Sequence, residues 1–178
     1  MDKVKKVMLD LDGVLVNFVE GINRAFGIKY DYAKLPERMK WNWFSEYLGL
    51  DSQEVDSICT INFWAGLRWM HDGKEILELV ESIFDDIYLL TTPMPNPESY
   101  TGKMLWVERH IPRYKNRTII TTVSKFLFAG ENRILIDDKN ENIDEFNEAG
   151  GRGILVPRPW NRAYDTLTLP QLKTVLKG

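Results

Sequence analysis

An apolar run that ends in two closely spaced aspartates and a glycine constrains this chain more than any other feature. Val4 to Leu11 reads as a buried strand, with Val7, Met8 and Leu9 apolar in succession, and it runs into Asp10-Leu11-Asp12-Gly13-Val14. Side chains at i and i+2 of an extended segment point to one face, so Asp10 and Asp12 converge on one small volume. Gly13 lets the backbone turn away beside them. Two like charges so placed are unfavourable unless a cation, a shared proton or a reaction makes use of them.

The rest of the chain reads as strands alternating with helices. After Gly13 a helical stripe runs through Val16, Val19, Ile22, Asn23 and Phe26, with Gly27 as its stop. Residues 28–74 have another texture, short and irregular, with Trp41, Trp43, Phe44, Tyr47, Phe63, Trp64 and Trp69. Asp51 and Glu54 form a capping box that opens a helix through about Cys59. From Lys74 the pattern becomes regular. Ile76, Leu77, Leu79, Val80, Ile83 and Phe84 predict an amphipathic helix, and Ile87 to Leu90 a strand ending in Thr91-Thr92-Pro93. A helix from about Glu98 to His110 follows, then strands over 117–122 and 133–136, the latter ending in Asp137-Asp138. Asn140 to Ala149 reads as a helix closed by Gly150-Gly151, Gly153 to Val156 as a fifth strand, and Pro170 opens a last helix.

This alternation predicts an α/β fold, a mostly parallel five-stranded sheet with right-handed crossovers, and in such sheets ligands bind outside the carboxyl ends of the strands. Those ends carry Asp10 and Asp12, Thr91 and Thr92, and Asp137 and Asp138. Four aspartates in one crevice point to a divalent cation, and Mg²⁺ takes hard oxygen ligands from one or two carboxylates, water and phosphate oxygens. Lys125, between the third and fourth strands, could face the same crevice, and Lys103 is its competitor or a second phosphate-facing group. Carboxylates, metal, hydroxyl and lysine together are the parts of a phosphoryl-transfer site. A calcium loop is excluded: an EF-hand needs Gly at its sixth position and Glu at its twelfth, and here Gly13 is fourth and Gly21 twelfth. Cys59 and His71 read as a small core residue and a turn residue.

Composition narrows the partners. At 178 residues the chain fits one domain, or one with a modest insertion. A net charge of -3 argues against nonspecific nucleic-acid binding, so no stable nucleic-acid complex is expected. With a single cysteine and two histidines, an internal disulfide and a Cys/His metal cluster are both excluded, and a cytoplasmic location is expected. Lys3, Lys5 and Lys6 could open a signal peptide, but Asp10 and Asp12 interrupt the apolar run after them; no stretch approaches a membrane span.

The ordered set of motifs resembles the haloacid dehalogenase (HAD) superfamily of phosphohydrolases. Asp10 to Val14 looks like its first motif, Thr91 its second, Lys125 its third and Asp137-Asp138 its fourth. The resemblance implies a Rossmann-like three-layer core over residues 1–14 and 75–178, with a small helical cap inserted after the first strand over 15–74. It implies that Asp10 is the nucleophile and that Asp12 protonates the leaving oxygen and later takes a proton from water. Thr91, with Thr92 beside it, would hold phosphate, and Lys125 would balance charge between phosphate and Asp10. Asp10, the backbone carbonyl of Asp12, Asp137 and Asp138 would hold Mg²⁺.

A closer resemblance is to the 5′(3′)-deoxyribonucleotidases. It rests on Asp10 to Phe18, Trp43 to Glu46, Asn62-Phe63, Leu90 to Pro93, Lys103 to Glu108 and Leu135 to Asp138. It implies that Phe18 and the region of Trp43 and Phe44 line a base pocket, and Phe63 is a further aromatic candidate there. The expectation is a Mg²⁺-dependent phosphomonoesterase acting on a small-molecule phosphate ester, a (deoxy)nucleoside monophosphate, through an aspartyl-phosphate, with a homodimer as an admissible assembly. The alternatives are a phosphatase of another small ester such as a sugar phosphate, a polynucleotide end phosphatase, or a degenerate scaffold that only binds.

Overall fold

The computed structural model describes residues 5–27, 51–164 and 169–177. Its centre is a five-stranded sheet in the order β3-β2-β1-β4-β5. The strands are β1 (Lys6–Leu9), β2 (Asp86–Thr91), β3 (Thr118–Ile120), β4 (Arg133–Asp137) and β5 (Arg152–Leu155), and every pairing is parallel. β1 lies in the middle, with Leu9 level with Leu89 of β2 on one side and Ile136 of β4 on the other. The three strands expected to carry chemistry are therefore neighbours. The chain builds outward from β1 through β2 to β3, then returns past β1 to lay down β4 and β5. That reversal beside β1 is where an open α/β sheet leaves a crevice.

Parallel strands buried on both faces need continuous apolar sequence, and β1, β2 and β4 supply it. On one face Val7, Leu9, Leu89, Ile134 and Ile136 join the larger core. That core draws on α1 (Phe18–Ala25), α4 (Gly73–Glu81), α5 (Pro97–His110) and α7 (Leu169–Lys177). On the other, Met8, Leu90 and Leu135 pack against Ile143 and Phe146 of α6 (Asn140–Glu148). The result is a three-layer α/β core.

Local chemistry sets the helix starts. Asn17 caps α1 by accepting from the Glu20 N–H, and Gly27, at φ 65°, follows its end. The predicted capping box is present: the Asp51 carboxylate accepts from the Glu54 N–H and Glu54 answers at the Asp51 N–H, opening α2 (Ser52–Ile58). Asn96 caps α5, with Pro97 in the first turn. Some elements differ from expectation. β1 is shorter than Val4 to Leu11, because after Leu9 the chain coils into a turn in which the N–H groups of Leu15 and Val16 both donate to the Leu11 carbonyl. α3 (Ile61–Ala65) and two 3₁₀ turns, Pro112–Arg117 and Lys125–Phe128, have no periodic signature to announce them.

The described part of the proposed cap is seated firmly on the core. The Trp106 indole donates to the Leu67 carbonyl at 2.8 Å, Arg109 Nη1 to the Ala65 carbonyl at 3.1 Å, and Asn96 Nδ2 to Asp56 Oδ1 at 2.7 Å. The segments leading into and out of this region are laced together, Asn17 N–H to the Arg68 carbonyl and Met70 N–H to the Leu15 carbonyl, both at 2.8 Å. Among the described residues no helix is long and apolar enough to cross a membrane.

Candidate active site

A cavity of about 200 Å³ opens at the carboxyl ends of the strands, lined by Asp10, Asp12, Thr92, Thr122, Ser124, Lys125, Asp138 and Asn142 among others. Asp10 leaves β1 while its N–H still donates to the Ile136 carbonyl at 3.0 Å, so the ladder fixes its backbone. Its Oδ1 accepts from the Leu11 N–H at 2.8 Å and lies 2.9 Å from Lys125 Nζ. Lys125 also donates to Asp137 Oδ2 at 2.7 Å. Asp137 is held at both oxygens: Oδ2 accepts from Asn142 Nδ2 at 2.9 Å and Oδ1 from the Lys139 N–H at 2.8 Å.

Asp12 belongs to a second pair. Its Oδ2 accepts from Lys103 Nζ, which also donates to Thr91 Oγ1 at 3.1 Å. Lys103, on α5, lies over the Trp64 ring, 4.9 Å from its centroid. The two lysines considered from the sequence are thus both in the site, Lys125 with Asp10 and Lys103 with Asp12. Asp10, Asp12, Thr91, Lys103, Lys125, Asp137 and Asp138 are all buried.

The carboxylates of Asp10, Asp137 and Asp138 approach one another within 4.8 Å, and among the described residues they form the group able to hold a metal ion. Burial pushes Asp10 up to about 7, with Asp137 and Asp12 adding to the rise and Lys125 opposing it. Burial likewise pushes Asp138 well above the usual carboxylate range, Asp137 and Asp10 adding. Burial alone would lower Lys125, but Asp10 and Asp137 outweigh it and hold the ammonium charged. If all three carboxylates ionise, Lys125 leaves two negative charges uncompensated, the charge that a divalent cation supplies. Hard oxygen donors in this number fit Mg²⁺.

Gly13 makes the cluster possible. Its φ is 76°, and a Cβ there would stand 2.1 Å from Asp138 Oδ2. The Asp138 carboxylate occupies the space a side chain at position 13 would take.

Of the aromatic candidates, Phe18 is buried and stacked on Trp64, ring centroids 5.2 Å apart at 6°, rather than lining the cavity. Phe63 is half-buried and meets both Phe18 and Trp64 edge-on. Trp43 and Phe44 lie outside the described residues. Several contributors escaped the motif reading. Asn142 holds Asp137, Trp160 holds Asp138, and Arg158 holds the loop after Asp12. The proline-bracketed Pro157-Arg158-Pro159-Trp160 after the fifth strand was the available signal for the last two.

Comparison with known proteins agrees with this geometry. A family model described as 5′ nucleotidase, deoxy (pyrimidine), cytosolic type C protein matches residues 3–168. The chain is 25% identical over 150 residues to the cytosolic-type 5′(3′)-deoxyribonucleotidase of Homo sapiens, covering 79% of this chain and 73% of that one. It is 28% identical over 137 residues to a candidate 5′(3′)-deoxyribonucleotidase of Vibrio phage KVP40, covering 76% and 67%. Among solved structures, a HAD family hydrolase of Deinococcus radiodurans R1 with bound phosphate and sodium has the same fold, with TM-score 0.55 at 14% identity over 86% of this chain and 82% of that one.

Proposed function

The chain belongs to the 5′ nucleotidase, deoxy (pyrimidine), cytosolic type C family of the HAD superfamily, and on that premise we propose that Asp10 attacks the phosphorus of a deoxynucleoside monophosphate. It is a phosphoric monoester hydrolase. One observation carries the mechanism: Asp10 lines the cavity, its Oδ1 held by the Leu11 N–H and Lys125, with Asp12 two residues on in the same lining.

The chemistry follows from where these groups sit. As the bond from Asp10 to phosphorus forms, the bond from phosphorus to the ester oxygen breaks, and Asp12 gives that oxygen a proton. The aspartyl-phosphate is then opened by water, from which Asp12 takes a proton back. Lys125 bridges Asp10 and Asp137, so its charge faces the phosphoryl group as well as the nucleophile. Thr91 Oγ1 and Thr92 offer hydrogen bonds to phosphate oxygens, and Lys103 holds Asp12 and Thr91 together. Asp10, Asp137, Asp138 and the Asp12 carbonyl would hold Mg²⁺, which when bound neutralises the negative charge that carboxylates and phosphate bring together. Phe63, beside Phe18 and Trp64, is the aromatic among the described residues assigned to the base. The cytosolic type of the human relative and a buried, unpaired Cys59 support a cytoplasmic enzyme.

Phosphate release from a panel of deoxynucleotides, ribonucleotides and sugar phosphates, with Mg²⁺ and with chelator, tests this reading. Release from deoxynucleoside monophosphates that chelator abolishes is expected. Release from sugar phosphates alone would overturn the substrate assignment. Asp10→Asn should lose turnover by at least about a thousandfold with its circular dichroism unchanged; near-full activity would remove Asp10 as the nucleophile.

A further inference from the structure

Beyond the four motifs, one short segment after β5 reaches both loops that supply the acidic cluster. Arg158 is 3% exposed. Its Nε donates to the Gly13 carbonyl and its Nη2 to the Val14 carbonyl at 3.3 Å, while Nη1 and Nη2 grip Asp72 at 2.8 and 2.9 Å. Two residues on, the Trp160 indole N–H donates to Asp138 Oδ2 at 2.5 Å. Asn161 Nδ2 donates to the Asp138 carbonyl at 2.7 Å and the Val156 carbonyl at 2.8 Å. The segment is itself stiff. Pro157 and Pro159 restrict the backbone on either side of Arg158. Asn161 Oδ1 accepts from the N–H groups of Arg158 and Ala163.

The consequence lies at Asp138. Its Oδ2 accepts from the Trp160 N–H, and its carboxylate packs into the space left by the missing side chain of Gly13. Asp138 itself lines the cavity.

We propose that the segment Arg158–Asn161 is a positioning clamp for the metal site, in which the Trp160 indole N–H fixes the Asp138 carboxylate so that Oδ1 is presented to Mg²⁺. This rests on the hydrolase reading for its metal but assigns a role to residues outside it. Trp160 is not among the residues that line the cavity, and its role is exercised through Asp138. Hydrogen bonds of this kind to a ligating group set its orientation, and their loss typically costs roughly 10–100-fold in metal affinity.

Trp160→Phe keeps a ring and removes the N–H. Titration of the full chain with Mg²⁺ alone, by calorimetry, should show binding weakened about 10-fold or more relative to wild type. The Mg²⁺ concentration for half-maximal phosphate release should rise by a similar factor, with kcat at saturating Mg²⁺ retained. A purely structural role would instead lower kcat at saturating Mg²⁺ without moving the activation midpoint, and that result overturns the proposal. So does a Trp160→Phe chain that binds Mg²⁺ as tightly as wild type. If Trp160→Phe folds poorly, Trp160→His, which returns a ring N–H, decides: affinity restored toward wild type supports the clamp, and affinity no better than the phenylalanine variant overturns it. Wild-type chain that binds no Mg²⁺ sinks the clamp. Wild-type chain that binds Mg²⁺ with the expected Trp160 dependence but hydrolyses no nucleotide leaves the clamp standing and removes the substrate reading alone.

Discussion

Gly13 sits against the Asp138 carboxylate, left-handed at φ 76° with that carboxylate where its side chain would be. An alanine there carries roughly 1–2 kcal/mol of backbone strain and must also displace Asp138. Gly13→Ala should therefore lose Mg²⁺ binding in calorimetry and at least about tenfold in kcat, beyond what its lowered melting temperature explains. Asp10 makes a prediction about pH. Its carboxyl is raised to about 7 in the fold, above its unfolded value, so without metal its contribution to stability is fully present below about pH 4 and is lost as pH rises through about 7. Bound Mg²⁺ requires the ionised form. The stabilisation added by Mg²⁺, read as the difference in unfolding free energy with Mg²⁺ and with chelator, should widen from about pH 5 to about pH 8 by on the order of a few kcal/mol. A gap independent of pH would show that Asp10 does not titrate with the metal site.

At the scale of elements, the contact between α3 and α5 decides how the aromatic region meets the core. A Cβ on Gly102 would lie 2.3 Å from Trp64 Cβ and 2.9 Å from the Ile61 carbonyl, so the helices touch backbone to side chain. Gly102→Ala should destabilise the protein by about 1–3 kcal/mol in urea unfolding despite its better helix propensity. If it stabilised instead, the helices could separate freely. Sequence reading succeeded where an element carries a period or a cap, as in α4 with Ile76, Leu77 and Val80 buried and in the Asp51–Glu54 box. It failed at α3 because five residues do not complete enough turns to show a period. It overextended β1 because a continuous apolar run cannot reveal that Leu11 turns into the core after the ladder ends.

At the scale of the whole molecule, Asp72 and Arg158 join three distant parts of the chain. Asp72 precedes α4, Arg158 follows β5, and through the Gly13 and Val14 carbonyls the pair grips the loop after Asp12. Both are buried, so removing either partner strands a charge. Asp72→Asn or Arg158→Met alone should cost about 3–5 kcal/mol, and the double variant less than the sum of the two. Additive losses in denaturant titrations would mean that the two residues do not act as a pair.

The alternation of strands and helices, the residues at the strand ends and the chemical class of Asp10, Asp12, Thr91, Asp137 and Asp138 are legible before any folding is considered. Those are properties of short segments, set by period, propensity and side-chain type. The folded chain brings Lys103 to Asp12, which no segment announces, and it sets Lys125 beside Asp10, the partner the family resemblance implies. It likewise decided that Phe18 stacks on Trp64, and that Arg158, Trp160 and Asn161 hold the loops of the acidic cluster. A parallel sheet brings its strand ends together through crossovers, and no local pattern states which side chains will then meet across the crevice.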